Sequence, residues 1–381
     1  MNNLITKNEE WINSVWVKIE KKMEKVAVRS FDKLPYTTSD GVHDDRSKDD
    51  PGWWTNGFWG GMMWLMYLST KNDVYMSTAI RSEEKLDEVL KNFLRIDHDA
   101  GFMWHLTSGA NYRITGDKKA FNTNMTVAAA LASRYNIDAG YIRAWNFENT
   151  EGISIIDCMM NLPLLYWASE EIGDDRYKKI AMAHADMAIK DHIRPDGSVN
   201  HIVRHDDDTG EIIEIQAGQG YSETSCWTRG LAWAIYGSVI SYVHTKEKRY
   251  LDAAIKCANF FIANVIRTDY LPPIDFRSPV EPLYYDSTAG ACVASALLEL
   301  AKFVSEAEAE NYRDASIKML RAIDEKCANY DENIDHLVDL GSERYPSPET
   351  TKKVVEFPII YADYYYIEAI CKLRGLDFFM W

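Results

Sequence analysis

The chain has 381 residues, 46% of them hydrophobic and 26% charged, with a net charge of −16. That composition excludes global disorder, and the acidic balance argues against nucleic acid or an anionic membrane surface as partner, since both repel it at long range. No apolar run reaches the roughly 20 residues that span a bilayer.

The first ten residues lack a basic stretch leading into an apolar one, so no secretory signal is expected. The cysteines Cys158, Cys226, Cys257, Cys292, Cys327 and Cys371 form no C-x-x-C pair and lie among Ala, Ile and Leu. They read as reduced, buried thiols of a cytoplasmic protein. The 12 Trp and 22 Tyr exceed what a core of this size needs. Such a surplus lines sugar or peptide clefts, although large helical cores also absorb it.

Helical periodicity dominates. Ile12, Val15, Trp16, Ile19, Met23 and Val26 mark one buried face, and Tyr250, Ala253, Ala254, Cys257 and Phe261 mark another. The pattern predicts about twelve helices, over 8–26, 56–70, 75–95, 101–115, 117–136, 155–172, 174–192, 225–244, 246–265, 286–305, 308–329 and 358–375. Only 199–215 alternates like a β-hairpin, with Asp208-Thr209-Gly210 as its turn. Short polar joints such as Gly173-Asp174-Asp175-Arg176-Tyr177 make successive helices antiparallel neighbours. Six helical hairpins closed into a ring give an all-α (α/α)6 barrel, a single domain over 1–381. An open solenoid would show a tighter repeat and uniform joints, whereas the loops between hairpins are long and unequal. Those loops should crowd one rim, over the N-termini of the inner helices.

Four stretches carry candidate chemistry. Trp53-Trp54-Thr55-Asn56-Gly57-Phe58-Trp59 is either an aromatic wall or a packed helix start with Asn56 as cap. Asp99 is a catalytic carboxylate or the cap of the helix near residue 101, and spacing favours the cap. Asp157 is a lone carboxylate in an apolar run. It needs either a partner or a raised pKa, which suits a general acid; backbone donors at an irregular helix start are the alternative. Arg229, between Trp227 and Trp233, is a carboxylate clamp or an Arg paired to a structural carboxylate. No metal, phosphate-loop or nucleophile-elbow motif is present, so neither metal nor cofactor is expected. Paired carboxylates with aromatic walls point to glycoside chemistry.

At these stretches the chain resembles the unsaturated glucuronyl hydrolases, glycoside hydrolase family 88. The resemblance runs in order over roughly residues 50–375. It is carried by Trp54-Thr55-Asn56-Gly57-Phe58, His98-Asp99-Ala100-Gly101-Phe102, Asp157-Cys158-Met159-Met160-Asn161-Leu162-Pro163, Gln219-Gly220-Tyr221-Ser222, Trp227-Thr228-Arg229-Gly230, Asp286-Ser287 and Ala362-Asp363-Tyr364-Tyr365-Tyr366. It implies an (α/α)6 barrel and, as substrate, an oligosaccharide ending in a 4,5-unsaturated uronic acid. Asp157 would protonate C4 and help activate the water that adds at C5. Asp99 would be the second carboxylate, tuning Asp157. Trp54, Phe58, Trp227 and Trp233 would form the aromatic wall, and His201, Gln219 and Arg229 would surround the uronate. Arg229 with His201 would supply the local positive charge that the net −16 requires. In some relatives a Ser and Lys loop reads a sulfate. Here Thr351 and Lys353 occupy that stretch without the Ser pattern, and a solvated loop explains them equally. The alternatives are a hydrolase of unsaturated galacturonyl–rhamnose from pectin, a non-catalytic oligosaccharide-binding barrel and a helical scaffold. A monomer or weak homo-oligomer is expected.

Overall fold

The computed structural model describes residues 3–381. Its helices are α1 (Asn3–Lys7), α2 (Glu9–Arg29), α3 (Asn56–Thr70), α4 (Asp73–Asp87), α5 (Ala110–Thr115), α6 (Lys118–Ala132), α7 (Pro163–Ile172) and α8 (Arg176–Asp191). They continue with α9 (Thr228–Thr245), α10 (Lys248–Val265), α11 (Ser287–Leu300), α12 (Glu306–Lys326) and α13 (Ile360–Leu373). A π-helix, Gly101–Gly109, runs straight into α5, and a 3-10 helix, Ile156–Met160, precedes α7.

Two kinds of helix alternate. The helices α3, α9, α11 and α13 are buried along nearly their whole length. The helices α2, α4, α8, α10 and α12 bury one stripe and face solvent with the other. Fully buried helices must be enclosed by others, so the first set forms an inner ring and the second an outer ring. The inner ring closes: α3 packs on the π-helix, the π-helix on α7, α7 on α9, α9 on α11, α11 on α13, and α13 back on α3. Closure excludes the solenoid and the open scaffold and establishes the (α/α)6 barrel.

The helix joints match the sequence. Lys71, Gly116, Gly173 and Lys246 take left-handed conformations at helix ends, and Asn72, Asp117 and Ser305 cap the next helices.

The expected helix 75–95 ends at Asp87 and continues only as 3-10 turns, the expected helix 117–136 ends at Ala132 before a strand, and two further segments differ from the periodic pattern. Residues 155–172 are not one helix: Ile153–Ile155 is a strand (β5), a 3-10 turn follows, and α7 begins only at Pro163. A proline lacks an N–H and restricts the residue before it, so it starts a helix and does not continue one. Residues 101–109 are helical but wound as π, where Gly57 packs against the carbonyls of Phe102 and Met103 so closely that a Cβ would collide.

The short strands β1 (Thr38–Ser39) and β2 (Val42–His43) pair, as do β3 (Tyr135–Asn136) and β4 (Tyr141–Ile142). The expected hairpin forms as β6 (Ile202–His205) and β7 (Ile212–Gln216), and β5 joins it in the order β5-β6-β7. This sheet sits on the rim that carries the site. The six cysteines are buried and unpaired. Among the described residues no helix is long and apolar enough to cross a membrane.

Candidate active site

A cavity of about 340 Å³ opens at the rim formed by the segments leading into the inner helices. Trp53 and Trp54 come from before α3, Asp99 from before the π-helix, and Asp157 from the 3-10 turn before α7. Arg229 comes from the first turn of α9, Glu343 and Arg344 from the segment before α13, and Tyr361 from the first turn of α13.

Asp157 and His201 meet through the sheet. Ile155 pairs with Ile202 antiparallel, and the amide of Ile156 donates to the His201 carbonyl at 3.1 Å. Nε2 of His201 then stands 3.3 Å from Oδ1 of Asp157. The backbone N–H of Gln219 donates to Nδ1 of His201 at 2.9 Å, so the ring proton sits on Nε2, facing Asp157. Gly218 permits this approach. Its φ is +58°, and a Cβ there would strike Nδ1. Burial raises the pKa of Asp157, but the contact with His201 and the nearness of His98 and Arg229 outweigh it, leaving the carboxyl below its ordinary value. Of the two sequence readings of Asp157, a partner or a raised pKa, the structure supplies the partner, His201.

The raised carboxyl is Asp99. Burial, with the negative charges of Asp97 and Asp157, pushes its pKa well above the ordinary value. Asp99 does not cap its helix. The amide of Asn161 donates to its Oδ1 at 3.2 Å, and Nε2 of His98 lies 3.5 Å from its Oδ2. Capping falls to Asn161, whose Oδ1 accepts the Phe102 N–H at 2.7 Å while its amide also reaches the carbonyl of Asp157 at 3.2 Å. One buried amide thus ties the two carboxylate segments together. Asn161 was legible only as an irregularity before Pro163. His98 is buried and its pKa is lowered, chiefly by that burial.

The aromatic residues divide differently from expectation. Trp54 lines the cavity, with Trp53, Trp145, Tyr36 and Tyr361. Phe58 does not: it is fully buried behind Trp54, ringed by Phe102, Tyr361, Tyr364 and Tyr365. Trp233 also belongs to the core, 5.2 Å from Phe102 and 5.7 Å from Tyr365. Trp227 stands behind the wall, supporting His201 at 4.3 Å and Arg229 at 4.5 Å. Nor is Asn56 a cap; its amide donates to the carbonyls of Asp50 and Pro51, and Thr55 holds the cap position without a side-chain bond.

Arg229 lies between the rings of Trp227 and Tyr361. Nη1 donates to the Ser342 carbonyl and lies 3.5 Å from Asp286, and Nη2 donates to the Glu343 carbonyl at 2.7 Å. It is therefore paired to a structural carboxylate, as one of the two sequence expectations held, while still forming part of the wall. Gln219 lines the cavity too, its amide nitrogen engaged by the Glu343 carbonyl at 2.6 Å. Thr351 and Lys353 are exposed and do not line the cavity. Among the described residues no three His, Cys, Asp or Glu side chains converge to hold a metal.

The arrangement suits acid–base chemistry on a sugar. Two carboxyls are biased toward opposite protonation states within an aromatic-walled cavity of small-ligand size.

Comparison with known proteins agrees. The family model for Glycosyl Hydrolase Family 88 matches residues 22–242. The chain is 34% identical over 354 residues to the unsaturated glucuronyl hydrolase of Bacillus sp. strain GL1, covering 91% of this chain and 92% of that one. It is 32% identical to the unsaturated chondroitin disaccharide hydrolase of Streptococcus pneumoniae, covering 84% and 81%. The crystal structure of the unsaturated glucuronyl hydrolase from Bacillus sp. GL1 superposes with a TM-score of 0.86 at 30% identity, covering 94% of this chain and 97% of that one. With its closed helical ring, its two rim carboxylates and these relatives, the chain belongs to glycosyl hydrolase family 88 and is a glycoside hydrolase.

Proposed function

We propose that this enzyme releases the 4,5-unsaturated uronic acid from the non-reducing end of lyase-generated oligosaccharides of glycosaminoglycan type, by hydrating the C4=C5 enol ether. The observation that carries this is the meeting of two buried carboxyls, Asp99 and Asp157, in one aromatic-walled cavity, the first with its pKa raised and the second with its pKa lowered. Hydration needs a proton for C4 and a base for water, and such a pair supplies both. The proton that Asp99 stocks is delivered to C4. Asp157 takes a proton from the water whose oxygen bonds to C5, so the pair regains what it gave. The hemiketal formed at C5 opens by breaking its bond to the ring oxygen, and the neighbouring sugar leaves from C1. The named activities of the Bacillus and streptococcal relatives support this substrate class, as does a relative's structure described with dGlcA-Glc-Rha-Glc (TM-score 0.87, 31% identity). The six unpaired thiols fit a reducing compartment, and we place the enzyme in the cytoplasm.

The test is loss of the ultraviolet absorbance of the enol ether, on disaccharides made by lyases from chondroitin, hyaluronan, heparin and pectin. Wild type should consume the glycosaminoglycan products. Asp157→Asn and Asp99→Asn should each lose about two to four orders of magnitude in kcat. Response to pectin products alone, or full activity in both variants, would overturn the proposal.

A further inference from the structure

We propose that Arg344 receives the negatively charged group of the substrate. This rests on the hydrolase function above and names the residue that reads substrate charge. A protein of net charge −16 that binds an anionic sugar needs a local cation. The cavity wall offers two arginines, Arg229 and Arg344, beside the carboxylates of Asp99, Asp157 and Glu343.

Arg229 is held inside the wall, its two terminal nitrogens engaged and only its buried Nε without a hydrogen-bond partner among the described residues. It is 1% exposed, and both terminal nitrogens are bound to the carbonyls of Ser342 and Glu343. His201 is engaged as well, between the Gln219 amide and Asp157. Arg344 is in the opposite condition. Its side chain is 42% exposed, and among the described residues its guanidinium makes a single hydrogen bond, at 3.5 Å, to Oε1 of Glu343. A guanidinium has five N–H donors, so most of those on Arg344 remain open. Nζ of Lys352, 66% exposed, also lies 3.3 Å from Glu343, so Arg344 shares that carboxylate with a second cation.

The backbone that presents Arg344 is held in place. Arg229 grips the two carbonyls before it, and Asp286 accepts the Ser342 N–H at 3.2 Å. Gln219 bonds the Glu343 carbonyl through its side chain and the Tyr345 N–H through its backbone, at 2.6 and 2.8 Å. The ring of Tyr345 rests 4.9 Å from Tyr221. The two arginines thus divide the work: Arg229 builds the wall, and Arg344 projects from it with its donors unspent. A planar fork of donors matches a planar or tetrahedral oxyanion two bonds at a time. The ligand chemistry is an oxyanion, supplied either by the carboxylate of the uronate or by a sulfate ester on the neighbouring sugar.

The experiment compares wild type, Arg344→Gln and Lys352→Gln on unsulfated and sulfated lyase-made disaccharides by absorbance. Binding of the same disaccharides to Asp157→Asn, with and without Arg344→Gln, is measured in parallel by calorimetry. Arg344→Gln should raise KM and Kd about tenfold or more, with kcat within about twofold, and the difference should shrink as salt is added. Lys352→Gln should change KM by less than about twofold. An equal effect on both substrates identifies the uronate carboxylate, and an effect confined to the sulfated one identifies the sulfate. Unchanged KM and Kd in Arg344→Gln, or an equal rise in Lys352→Gln, would overturn the proposal. Failure of wild type to consume any disaccharide would instead count against the hydrolase function.

Discussion

The imidazole of His201 is locked between Gln219 and Asp157, and the β5–β6 pairing sets its distance from the carboxylate at 3.3 Å. Because Nδ1 is an acceptor, the proton on Nε2 faces the carboxylate and favours its ionised form. His201→Asn removes that contact and lets burial dominate, so the Asp157 pKa rises. Asp157 must be ionised to accept a proton from water, and activity is lost as pH falls through its pKa. The acid limb of kcat/KM should therefore move to higher pH in His201→Asn. An unmoved acid limb would show that another group governs it.

On the proposed mechanism the basic limb belongs to Asp99. Its pKa is raised by burial and by Asp97 and Asp157, and the Asn161 hydrogen bond pulls against that rise. Asp99 must hold its proton, so activity falls as pH climbs through its pKa. Asn161→Ala removes the opposing bond and should shift the basic limb to still higher pH. It also leaves the Phe102 N–H uncapped, at a cost of about 1–2 kcal/mol in stability. A pH–rate profile and a urea melt of the one variant check both effects.

The division between wall and core gives a pair of opposed variants. Trp233→Ala empties a core position that is 1% exposed and should destabilise the fold by about 3–5 kcal/mol. Trp54→Ala removes a cavity-lining ring and should raise KM several-fold, with a smaller loss of stability. Thermal melts and KM values measured on both variants decide the matter. Equal stability losses would contradict the placement.

Away from the site, Glu83 on α4 is buried and accepts from the Asn111 amide at 2.8 Å. Burial raises its pKa to about 7. The folded protein therefore binds more protons than the unfolded chain between the ordinary glutamate pKa and about 7. The stability contributed is full below that window and is lost as pH rises through it. Glu83→Gln should remove this loss, stabilising the protein by about 1–3 kcal/mol at pH 8 relative to wild type and much less at pH 5. Urea midpoints at the two pH values test it.

Much of the architecture follows from local pattern. The helix positions, the antiparallel joints and the β6–β7 hairpin rest on periodicity and turn chemistry, which act over a few residues. Closure of the ring was an inference from helix number and loop length, and the packing of α13 on α3 made it a fact. Asp99, Asp157, His201, Gln219, Arg229 and Trp54 were legible as cavity residues through the stretches that resemble the family.

What lay beyond the sequence depends on neighbours distant in the chain. Trp54 and Phe58 are four residues apart and equally aromatic, yet Trp54, in the segment before α3, lines the cavity, while Phe58, on α3, is packed into the core. Asn161 bonds a residue 62 positions away, and Asp286 acts on an arginine 57 positions before it. Which of the two carboxyls has the raised pKa was open for the same reason. A carboxyl's pKa depends on the charges and donors packed around it, and strand register brought His201 to Asp157 while Asp99 was left beside other acids. Residue type and spacing determined that two carboxylates and an aromatic cluster stand at one rim of a helical ring. Tertiary packing decided which carboxyl has the raised pKa, which rings line the cavity, and which cavity arginine is exposed.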